Sequence, residues 1–100
     1  MANSLIDRMR KGEKKAILDG LSHSGAIYRM NAISFFAISR IQDAEIESKI
    51  MELKNDDTVL DGYSVSDFAS AALDLLGIET YTGNKALVKD LIESKFEFLK

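Results

Sequence analysis

The stretch from Tyr63 to Ile78 strongly favours one conformation. Ser64-Val65-Ser66-Asp67 is a capping box of the Ser-x-x-Asp kind, in which the two side chains can satisfy N–H groups that a helix start leaves without partners. Tyr63 before the cap and Phe68 in the first turns have the spacing of a hydrophobic staple. Val65, Phe68, Ala69, Ala72, Leu73 and Leu76 then recur at i, i+3, i+4, i+7, i+8 and i+11, which is one face of a helix. Gly77 followed by Ile78 is the Schellman ending, a glycine able to turn left-handed and an apolar residue to fold back on the last turn. The spacing predicts a helix over 65–76. Such a helix buries its stripe only against other stripes, so its neighbours must be amphipathic too.

They are. Ala26 to Arg40 reads as a second strong helix, with Ile27, Met30, Ile33, Phe36 and Ala37 on one face and Ala32 and Phe35 widening it. An arc that wide predicts burial on more than one side. Gln42-Asp43 breaks this helix, and Asp43 is placed to cap the next. There Ile46, Ile50 and Leu53 make a narrow stripe, and Glu45 and Lys49 stand in the favourable i,i+4 order. A last helix is expected from about 82–84, its stripe formed by Leu87, Val88, Leu91, Ile92, Phe96 and Leu99. In the first twenty residues Leu5, Met9, Ala16 and Ile17 fit one helix that Gly20-Leu21 ends. Ser4-x-x-Asp7 offers it a cap, but Gly12 would cost about 1 kcal/mol in its middle. Residues 5–20 therefore form either one helix with a weak centre or two short ones. Asn55 to Gly62, rich in Asp, reads as one long loop.

Nothing in the composition opposes an all-α domain. There is no proline, so no helix meets an obligate breaker, and β-branched residues never alternate long enough to mark a strand. One hundred residues fit a single domain spanning 1–100, and 46% apolar with 29% charged residues is a globular balance. The lack of cysteine excludes disulfides, thiolate nucleophiles and cysteine-bearing metal sites. No stretch approaches the roughly 20 apolar residues of a membrane span, and the first residues lack the apolar run of a signal peptide, so a cytoplasmic protein is expected.

Charge is uneven. Residues 1–15 hold five Lys/Arg against two Asp/Glu, and the remainder eight against fourteen. An acidic body disfavours extended phosphate binding. The basic cluster Arg8, Arg10, Lys11, Lys14 and Lys15 leaves a nucleic-acid-binding alternative, but it is short and has no interleaved aromatics, and a solvated helix face accounts for it better.

Shifting the chain by 37 positions lays Tyr28-Arg29-Met30-Asn31-Ala32 over Val65-Ser66-Asp67-Phe68-Ala69, Phe36 over Leu73 and Ile38 over Leu75. A helix pair recurring at such a period is the signature of a solenoid. The stretch from Tyr28-Arg29-Met30-Asn31-Ala32-Ile33 through Ile41-Gln42-Asp43-Ala44-Glu45 to Leu53-Lys54-Asn55-Asp56-Asp57 resembles a HEAT repeat, in particular the short HEAT-like repeats of phycobilisome lyases. Those repeats open with an apolar residue and arginine, and close with Leu-x-x-Asp-Asp. Val65 to Gly77 is similar to the start of the next unit, with two departures: Ser66 stands where the family has its arginine, and the connection from Asp57 to Val65 is longer than usual. The resemblance implies a short right-handed α–α superhelix of the armadillo/HEAT kind, with five or six helices. It also implies a concave face lined by second helices, which makes Lys49, Glu52, Lys89 and Glu93 the candidate binding residues. A bilin-lyase role would rest on that analogy alone.

No constellation in the sequence points to chemistry. His23, the only histidine, sits in Ser22-His23-Ser24-Gly25 ahead of a helix, where a residue near a cap is the plainer reading than a general base. A small enzyme subunit built on His23 is the remaining alternative. Asp57 and Gly62 have the spacing of calcium-loop positions 1 and 6, but position 3 is Val59 and position 12 is Phe68, so two required ligands are missing. Tyr28, Tyr63 and Tyr81 are expected to pack. No metal or cofactor is expected. The resulting reading is a non-enzymatic, adaptor-like or regulatory protein-binding module. Its partner would be another protein, or a second copy through an apolar tip of Phe96, Phe98 and Leu99.

Overall fold

In a computed structural model the described residues, 4–39, 42–60 and 62–80, form five helices and one two-stranded sheet. The helices are α1 (Ser4–Arg10), α2 (Lys14–Leu21), α3 (Ala26–Ser39), α4 (Ala44–Leu53) and α5 (Val65–Leu75). The architecture is all-α apart from β1 (Val59–Leu60) and β2 (Tyr63–Ser64), which pair antiparallel with Val59 opposite Ser64 and Leu60 opposite Tyr63. The expected unbroken loop over 55–62 is therefore wrong. Asp61-Gly62 between two apolar-containing dipeptides is the signal for a two-residue hairpin turn, and Gly62 takes the positive φ, 83°, that such a turn requires.

The N-terminal region is two helices. Gly12 has a φ of 82°, its N–H donates to the Met9 carbonyl at 2.9 Å, and the Glu13 N–H donates to the Arg8 carbonyl at 3.2 Å. This is a Schellman ending for α1, so the glycine terminates a helix instead of weakening one. The break also resets the helical phase. Ile6 and Met9 turn into the core, whereas an uninterrupted helix would have favoured Leu5, which is only half-buried. Gly20 is helical and buried where α2 crosses its neighbours. A Cβ built there would lie 2.5 Å from Met9 Sδ and 2.9 Å from Ala32 Cβ, so its smallness sets how closely α1, α2 and α3 approach.

The helices sort into two rows. α3 packs against α1 on one side and α5 on the other, α4 packs against α2, and α2 and α4 lean on α3 and α5 in turn. At the centre is α3, with every residue from Met30 to Ala37 buried. Asn31 and Ser34 are among them. Their side chains donate to the Ile27 and Met30 carbonyls at 2.8 and 2.9 Å, the i−4 arrangement by which a short polar side chain is accommodated inside a helix. Phe36 and Phe68 are the largest fully buried side chains.

Helix ends follow the local chemistry. The Ile46 N–H donates to Asp43 Oδ1 at 3.1 Å, and the Asp43 N–H donates to Glu47 Oε2 at 3.2 Å, so α4 is capped in both directions. At α5 the Asp67 N–H donates to Ser64 Oγ at 3.1 Å, and Tyr63 meets Phe68 edge-on with ring centres 6.2 Å apart, the expected staple. At its far end the Ile78 N–H reaches the Leu73 carbonyl and the Gly77 N–H the Asp74 carbonyl, both at 2.9 Å, with Gly77 at a φ of 78°.

Candidate functional site

The sequence-derived site residues fall into two groups. Lys49 and Glu52 lie on α4, both exposed, while Ile46 and Ile50 on the opposite side are buried against the core. Met51, between them in sequence, is 40% exposed, one of three large apolar side chains this open among the described residues. Lys89 and Glu93 lie outside the described residues, as do Tyr81 and the apolar tip Phe96, Phe98 and Leu99. Lys49 does not engage Glu45 as its spacing predicted. Glu45 turns instead to Lys14 of α2, 3.1 Å away, and Lys14 also reaches Asp43 at 3.3 Å. A pair between helices has displaced the pair within one. Hydrogen bonds to the Glu45 and Asp43 carboxylates hold the Lys14 ammonium above its ordinary value. The Asp43 carboxyl is held below its own by the Ile46 N–H first and Lys14 second.

The basic cluster is largely consumed. Arg8 pairs with Glu13 at 3.2 Å, Arg10 with Asp7 at 2.7 Å, and the Arg10 guanidinium also lies 5.8 Å from the centre of the Phe35 ring. Lys11 and Lys15 are exposed with no acidic partner among the described residues. Three of the five cations of the cluster thus stand in exposed ion pairs with carboxylates.

His23 is half-buried and structurally employed. Its Nδ1 accepts the Gly25 N–H at 2.9 Å, its ring lies on Tyr28 with centres 4.1 Å apart, and its carbonyl accepts from Arg29 at 2.7 Å. The expectation that it is merely exposed near a cap is corrected: the imidazole closes the turn that starts α3. Nδ1 is thereby taken up in closing that turn.

Arg29 joins segments far apart in sequence. One Nη donates to the His23 and Ser24 carbonyls at 2.7 and 2.9 Å, and the other to Thr58 Oγ1 at 3.2 Å. Its Nε is 2.9 Å from Asp56 Oδ2, but the N–H is not directed at the oxygen, so this contact is charge pairing without an aligned hydrogen bond. Asp56 in turn accepts the Thr58 N–H at 3.0 Å, and its carbonyl accepts the Ser66 N–H at 2.8 Å. Burial pushes the Asp56 carboxyl up, but the Thr58 hydroxyl and N–H and the Arg29 charge outweigh it, and the group sits below its ordinary value. Here the acidic loop serves as internal architecture. Among the described residues no group of three or more His, Cys, Asp or Glu is arranged to hold a metal, and the calcium spacing is further undone by Val59 in β1 and Phe68 in the core.

An open groove of about 600 Å³ runs between the start of α4 and the end of α5, with Gln42, Asp43 and Glu47 on one wall and Leu75, Leu76 and Ile78 on the other. Sequence reasoning missed it, because its walls come from helix termini about thirty residues apart. Asp43 and Glu47 on its polar wall are already engaged in the α4 cap. No helix among the described residues is long and apolar enough to cross a membrane. No known protein family, curated protein or solved structure matches this chain.

Proposed function

We propose that this chain is a non-enzymatic protein-binding module, built as a short right-handed α–α superhelix of the HEAT kind, that engages its partner through the outward face of α4. The observation that carries this reading is the division of labour on α4. Ile46 and Ile50 anchor the helix, while Lys49, Met51 and Glu52 face solvent. Exposed charges and an exposed methionine on a helix anchored along one line are a composition suited to recognition, since the thioether adapts its shape and the charges select the partner. Two further features support the HEAT-like reading. α1, α3 and α5 touch in succession and α2 touches α4, as the layers of stacked helix pairs do, although α3 and α4 make little contact with each other. Arg29 and Asp56, the arginine and aspartate that open and close the repeat-like stretch, are paired. In this scheme α4 is the second helix of its pair, and Lys89 and Glu93 would extend the same face.

The test compares the wild-type chain with Lys49→Glu/Glu52→Lys, each tagged, cross-linked in the native cell and identified by mass spectrometry. A protein partner recovered by the wild type and reduced at least tenfold with the variant is the expected result. Equal recovery by both overturns the assignment of the face. Recovery of nucleic acid that elutes with rising salt overturns the protein-binding reading itself.

A further inference from the structure

We draw no further inference here: the strongest candidate, the groove between the start of α4 and the end of α5 lined by Gln42, Ala44, Glu47, Leu75, Leu76 and Ile78, carries nothing, because nothing among the described residues shows what covers it.

Discussion

α3 and α4 are consecutive helices with opposite characters. α3 buries eight consecutive residues, including two polar ones, whereas α4 buries only Ile46 and Ile50. The first is held by contacts around its whole circumference, so its sequence is constrained at nearly every position. The second is held along one line, and the rest of its surface is free to vary without cost to the core. Substitutions on the two helices should therefore report different things.

The sharpest way to break that contrast is Phe36→Ala. Phe36 is fully buried in α3, and emptying its site should cost about 3–5 kcal/mol, read as a lower urea midpoint. A loss under about 1 kcal/mol would mean that α3 is not the centre of the core. Next comes Asp56→Ala, which leaves the largely buried Arg29 without its counter-charge and the Thr58 N–H without its acceptor. The expected loss is about 2 kcal/mol, with thermal unfolding as the measurement. A smaller effect is expected from Gly20→Ala. The methyl gains about 1 kcal/mol of helix propensity, but overpacking costs about 1–3 kcal/mol, because Met9 can swing aside while Ala32 cannot. A net destabilisation of about 1 kcal/mol follows, and a stabilised variant would show that α2 and α3 can separate without penalty. At the bottom of the scale, Lys49→Glu/Glu52→Lys should move stability by no more than about 0.5 kcal/mol, leaving its effect on partner recovery free of any folding defect.

Acid should act on the ties between elements before it acts on the core. Asp43 and Asp56 are both held below their ordinary value of 3.8, so the stability they contribute is complete above that value and is lost as pH falls through the lowered ones. The Lys14 contribution has the opposite sense. It is present below 10.5 and is lost only as pH rises through the raised value. Denaturation monitored against pH should therefore show a plateau near neutrality and a decline below about pH 4, and the decline should be shallower in the Asp56→Asn variant.

Local chemistry was readable in the sequence, and partnerships between distant segments were not. The staple and Schellman ending of α5, the Asp43 cap and the breadth of the α3 stripe depend on residues within about five positions of one another, and each appears as the spacing implied. What escaped depends on separation. Glu45 chose Lys14 over Lys49 because α2 and α4 lie side by side, which no helical wheel reveals. Ser34 and Asn31 look like surface residues until α3 is enclosed on several sides. At Gly12 the sequence left one helix or two open, and its positive φ decides for two. The short hairpin was missed, because two-residue strands are too short to show alternation. On α4 both the exposed charges and the narrow stripe were legible, although Leu53, at the end of that stripe, is only partly buried.

Arg29 has a kinetic consequence. Most of this molecule's interactions join neighbours in the chain, which favours rapid folding. Arg29 reaches instead to Asp56 and Thr58, and those same residues hold the first N–H groups of α5 through their carbonyls. The start of α3, the hairpin approach and the start of α5 thus share one knot. They act as a single cooperative unit of opening, so a local fluctuation at any of the three loosens the other two.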